Sequence, residues 1–195
     1  MSRPLAILVR GHAPSTYGAA YGDWIEYDAI PEYLIPAEVH LRAKGCSVIR
    51  LEMGSLRDRQ PRGLAAIESH RKAPPGAPCV YVSAHLNAGG AAMQRSITFH
   101  DKRSRGGERA ATGIAKALGD AYGWPSTVWG THADGWLSRP HNSISRIYSG
   151  SPSNCCAVLT ELASVDREPL TIDLLHRGGT ALGVGLAEYL HSEAS

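Results

Sequence analysis

Apolar, β-prone runs recur along the chain at Leu5 to Arg10, Ser47 to Leu51, Cys79 to Ser83, Ser96 to His100 and Ala157 to Glu161, with a weaker run at Thr127 to Trp129. Short runs of this kind predict strands. Between them the apolar positions shift to helical spacing. From about Ile30 to Lys44, Leu34, Ala37 and Leu41 share a face and Gly45 supplies a stop, while Pro36 predicts a kink or a late start. Leu64 to His70 predicts a short helix. Ala111, Ile114, Ala115 and Leu118 give Arg109 to Tyr122 a buried face that ends at Gly123, and Leu182, Leu186, Tyr189 and Leu190 do the same for the last helix.

Strands alternating with helices predict an α/β fold. The expected form is a three-layer α/β/α domain over residues 1–195, with a mostly parallel, twisted central sheet of about six strands. Ala73 to Pro78 reads as a surface loop. The glycine-rich stretch from Gly130 to Gly150 has no clear period and is expected to be a long loop bordering the active site.

Bulk properties narrow the picture. A chain of 195 residues with 43% hydrophobic content can bury one substantial core. A net charge of +2 is mild, and nucleic-acid binding would call for more. The cluster Lys102, Arg103, Arg105 and Arg109 reads as a solvated loop and helix start. Leu5 to Val9 is too short for a signal sequence or a membrane span, so the expectation is a protein that accumulates in the cytoplasm and is not inserted in a membrane. Cys46, Cys79, Cys155 and Cys156 have no metal-binding spacing and are expected to be buried thiols.

Candidate chemistry gathers at strand ends. Gly11-His12 and Ser83-Ala84-His85-Leu86-Asn87-Ala88 each place a histidine after an apolar strand, and Ala157-Val158-Leu159-Thr160-Glu161 places a carboxylate there. In an open α/β sheet the carboxyl ends of the strands are where ligands and metals bind. Taken alone, a Gly-His after a strand is more often a loop histidine, and a glutamate before a helix is more often a surface residue matched to the helix dipole. An ionised carboxylate after Ala-Val-Leu-Thr is harder to place without a partner. Together, His12, Glu26 and His85 supply three ligands for Zn2+, one ion per chain, and Glu161 supplies a general base.

These residues resemble the zinc-dependent N-acetylmuramoyl-L-alanine amidases of the amidase_3 type. The shared order is Gly11-His12, Gly18-Ala19, Glu26 opening a helix, the Ser-x-His-x-Asn-Ala motif at Ser83 to Ala88, and Glu161 after a late strand. The chain departs from the family at Val9-Arg10, at Thr16 and at Leu162-Ala163, where the family has Asp-Pro, Asp and Gly-Phe. None of these is a proposed ligand. The resemblance implies cleavage of the amide between N-acetylmuramic acid and L-alanine in peptidoglycan, with Glu161 as base and then acid. It implies an open groove, to which Asn87, His132, Trp136, Arg139 and His141 are assigned as substrate contacts. A bare catalytic domain that acts as a monomer and reaches the wall on release, as a phage endolysin does, is the expected setting.

Two other readings remain. A zinc carboxypeptidase or N-formylglutamate-type amidohydrolase uses the same donor types, but usually in a compact His-x-x-Glu motif that this chain lacks. A non-catalytic wall-binding module would be expected to have lost a ligand or Glu161. Serine-hydrolase, dinucleotide and nucleotide chemistry are disfavoured by the lack of a Gly-x-Ser-x-Gly elbow, a Gly-x-Gly-x-x-Gly turn after the first strand and a Walker sequence.

Overall fold

The computed structural model describes residues 3–21, 23–72, 77–88, 96–131, 144, 147, 154–164 and 170–194. In chain order the elements are β1 (Leu5–Arg10), β2 (Ala20–Tyr21), β3 (Trp24–Ile25), α1 (Glu26–Ala43), β4 (Ser47–Leu51), α2 (Leu56–Lys72), β5 (Cys79–Asn87), β6 (Ser96–Asp101), α3 (Arg105–Tyr122), β7 (Ser126–Thr131), β8 (Cys155–Ser164) and α4 (Ile172–Ser192). Six strands form one sheet in the order β4-β1-β5-β8-β6-β7, and β2 and β3 make a small hairpin. β4, β1, β5 and β8 run parallel. β6 is antiparallel to β8 and carries β7 with it. The carboxyl ends of β1, β5 and β8 therefore share one edge, and those of β6 and β7 lie at the other.

Strand alternation divides the core in two. Ala6, Leu8, Val80, Val82, Cys156 and Val158 face one side, where they pack with residues of α1, α3 and α4. Leu5, Ile7, Val9, Cys79, Tyr81, Ala157 and Leu159 face the other, with Ile67 of α2 and with Ile144 and Ile147. Helices thus cover both faces, as parallel pairing requires. All four cysteines are buried free thiols.

Several boundaries differ from those read in the sequence. α1 begins at Glu26 rather than near Ile30, and it contains both Pro31 and Pro36. Pro31 has no N–H to give the Tyr27 carbonyl one turn earlier, and the Arg10 guanidinium donates to that oxygen instead. α2 begins at Leu56, well before Leu64, with Asp58 accepting from the Ser55 amide at 2.8 Å and the Ser55 hydroxyl at 2.7 Å. α3 starts at Arg105, where Ser104 caps it by accepting from the Gly107 amide at 2.9 Å. The stretch from Gly130 to Gly150 is not wholly loop: β7 runs into it, and Ile144 and Ile147 are helical and fully buried.

The basic cluster follows β6 and so lies at the edge away from the ends of β5 and β8. There Arg103 pairs with the buried Asp101 at 2.7 Å, and Arg109 reaches Glu193 at 2.8 Å. No helix among the described residues is long and apolar enough to cross a membrane.

Candidate metal centre

Three donors from three segments meet at the shared strand edge. His12 follows β1, Glu26 opens α1 and His85 lies near the end of β5. One donor atom from each lies within 4.8 Å of the others. Glu26 is the hub: Oε2 is 3.3 Å from His12 Nε2 and Oε1 is 3.0 Å from His85 Nδ1. Its remaining lone pairs are satisfied by the Ala19 amide at 2.9 Å and the Leu86 amide at 3.1 Å, so the carboxylate is locked in place. The two imidazoles meet edge to face, with centroids 5.0 Å apart.

The neighbouring chain is shaped to this cluster. A Cβ on Gly11 would strike the His85 ring and come 2.6 Å from the Ala84 carbonyl oxygen. A Cβ on Gly18 would strike Glu26 Oε2 and come 2.7 Å from His12 Cδ2. Gly18 also has φ +80°, a backbone that side chains other than glycine rarely adopt. Ser83 lies 3.1 Å from His85 Nε2 and fixes the ring from behind. With Nε2–H donated to Ser83 Oγ, Nδ1 is left as the ligating nitrogen.

Charges follow the geometry. Burial alone would raise the pKa of Glu26, but the His85 hydrogen bond, the two imidazoles and the Ala19 amide hold it below the ordinary value. Burial lowers the pKa of His85, yet the bond to Glu26 and the charges of Glu161 and Glu26 raise it overall. His12 is lowered, chiefly by burial. Glu26 and His85 thus make a buried ion pair whose proton a cation would displace.

Glu161 completes the arrangement. It is the register partner of His85 on the neighbouring parallel strand, so the two side chains stand on one face. Burial, reinforced by Glu26, pushes it up to about 7 against the lowering effect of His85. Its Oε2 is buried without a hydrogen-bond partner. A cleft of 620 Å³ joins Glu161 to His12, Glu26 and His85, with Ser55 and Arg59 in its wall. Two imidazoles and a carboxylate suit a borderline divalent ion such as zinc, and a poised carboxyl beside them suits proton transfer.

The four central residues read from the sequence are therefore together. Asn87 ends β5 opposite Ser164, half-buried, with Nδ2 unpartnered, and does not line the cleft. His132, Trp136, Arg139 and His141 lie outside the described residues. Arg59 was not anticipated, because an isolated arginine on a helix gives no sequence signal.

Neither the family models nor the curated proteins with which the sequence was compared give a match. Solved structures do share the fold. Cwp6 from Clostridium difficile superposes with a TM-score of 0.73 at 20% identity over 95% of this chain, which spans 29% of the length of Cwp6. The N-acetylmuramoyl-L-alanine amidase AmiC2 of Nostoc punctiforme gives 0.69 at 15% identity, covering 96% of this chain and 97% of its own. The catalytic domain of the CD27L endolysin, which targets Clostridia difficile, gives 0.65 at 16% identity, covering 95% and 98%. At such identities the likeness is one of fold.

Proposed function

We propose that this protein is a zinc-dependent N-acetylmuramoyl-L-alanine amidase that cleaves the bond between N-acetylmuramic acid and L-alanine in peptidoglycan. The observation that carries the reading is the convergence of His12, Glu26 and His85 within 4.8 Å in the same cleft as Glu161. The fold shared with AmiC2 and the CD27L catalytic domain supports it. His12, Glu26 and His85 would hold the ion, which when bound would supply a Lewis acid for the scissile carbonyl and for water. Glu161 takes a proton from the attacking water at Oε2 and passes it to the leaving nitrogen. In the metal-free fold burial raises this carboxyl to about 7, and a cation beside it would favour the ionised form that accepts the proton. Ser83 keeps His85 oriented, and the Ala19 and Leu86 amides keep Glu26 ionised and fixed. Substrate contacts from His132, Trp136, Arg139 and His141, action as a monomer, and accumulation in the cytoplasm before access to the wall belong to the same proposal.

Mass spectrometry of purified peptidoglycan, digested with and without a chelator, tests it. Free stem peptides beginning at L-alanine, lost on chelation and restored by zinc, are expected. Cleavage inside the stem would move the protein to the peptidases, and no cleavage would favour a binding module.

A further inference from the structure

One charge in the cleft wall has no counterpart. Arg59 borders the cleft yet is buried, at 0% relative exposure. Its Nη1 donates to the Arg10 carbonyl and its Nε to the Ser55 carbonyl at 3.3 Å, while Nη2 has no partner. Both acceptors are neutral, and among the described residues no carboxylate pairs with this guanidinium. Burial lowers the pKa of Arg59, and the nearby charge of Arg10 adds to that against the weaker raising effects of Tyr81, Tyr27 and Asp58. Asp58 accepts from the Ser55 amide and hydroxyl and caps α2, and it acts on Arg59 only as a weak charge with no hydrogen bond between them. Within the cleft, Glu26 and Glu161 together match a divalent cation. The charge of Arg59 is what remains, and an unpaired buried charge is costly unless a ligand completes it.

We propose that Arg59 is a carboxylate-binding residue of the cleft, selecting ligands that carry a free carboxylate on the leaving-amine side of the scissile bond. The inference rests on the amidase reading for the identity of the ligand: the carboxylate is that of the γ-linked glutamate that follows L-alanine in the stem. Amidation of that carboxylate removes its charge and leaves its shape nearly unchanged. Charge-assisted contact with a guanidinium is the feature that separates the two forms.

The test is calorimetric titration of the zinc-loaded protein with L-alanyl-D-glutamate and with L-alanyl-D-isoglutamine, each capped as the methylamide at its γ-carboxyl so that only the α-position differs in charge; neither contains the scissile bond. The acid is expected to bind about tenfold more tightly or better, as a charged hydrogen bond would give. Arg59→Gln should bring the two affinities together, and Arg59→Lys should retain part of the preference, with zinc affinity unchanged within about threefold in both. Equal affinities in the parent protein would overturn the proposal, as would a preference that survives both substitutions. A role confined to holding the Arg10 carbonyl ahead of His12 would weaken zinc and both peptides together, which also overturns it. Should Arg59→Gln fail to fold, the parent comparison and Arg59→Lys still decide. Acid preference without cleavage of peptidoglycan would sink the amidase reading alone, and cleavage without acid preference would sink the carboxylate site alone.

Discussion

Strand β5 shows both faces of the sheet at once. Toward α1, α3 and α4 it presents Val80, Val82, Ala84 and Leu86, which all belong to one apolar cluster. Toward α2 the same strand runs Cys79, Tyr81, Ser83 and His85, apolar at first and polar at its carboxyl end. The first face is closed by close helix packing. A Cβ on Gly179 of α4 would meet the Tyr33 carbonyl oxygen of α1, and one on Gly185 would come 2.7 Å from the Gly113 carbonyl oxygen of α3. The second face gives up some apolar contact at its end to hold ionisable groups. A two-residue period lets one strand serve packing and chemistry, provided that the polar positions come where the sheet meets the cleft.

Substitutions can separate those roles. The largest effects should come from the polar face and leave the fold standing. Glu161→Gln is expected to lower amide hydrolysis by about a hundredfold or more while still binding one zinc, measured by turnover and metal analysis. His85→Ala should lose the metal itself, and tightly held zinc in that variant would show that the ligand set is wrong.

The packed face should respond in the opposite sense. Gly179→Val forces a side chain against the backbone of α1 and should cost about 3 kcal/mol or more in denaturant unfolding. The fraction that remains folded should bind zinc normally. Altered metal affinity in that fraction would mean that the two faces are not independent.

A third prediction concerns pH in the metal-free protein. The pKa of Glu161 is raised from 4.5 to about 7 in the fold, so the fold favours its neutral form. Stability from this group is intact at low pH and declines as pH rises from about 4.5 through about 7. Glu161→Gln removes that decline. The variant should match the parent near pH 4 and exceed it by on the order of 2 kcal/mol above pH 8, read from urea unfolding across pH.

The smallest effect expected is from Ser83→Ala. Losing the hydroxyl behind His85 should weaken zinc binding by about tenfold, measured by chelator competition, with little change in melting temperature. A much larger loss would make Ser83 more than an orienting group.

Much of this was legible in the residues. The six strands of the sheet, with His12, His85 and Glu161 at or near their carboxyl ends, stand where the apolar runs placed them, because burial imposes a periodicity that survives in one dimension. Glu26, by contrast, was reached through the family resemblance. The early start of α2 was not legible, and that of α1 came from the family resemblance, which has Glu26 opening a helix, rather than from the local pattern. Proline argues locally against a helix, and only the tertiary partner Arg10, donating to the carbonyl that Pro31 leaves open, makes that turn acceptable. The buried position of Ile144 and Ile147 was also hidden, since their stretch has no period of its own.

The sequence by itself determined which groups are available and at which strand ends they emerge, for both follow from local pattern and side-chain chemistry. Only the tertiary structure decided that β6 and β7 run against the other strands, which sends the basic cluster away from the cleft. It alone decided that Gly11 and Gly18 make room for His85 and Glu26, and that Arg59 stands in the cleft wall with an unpartnered N–H. Such features depend on distances between segments far apart in the chain, and no local pattern encodes a distance of that kind.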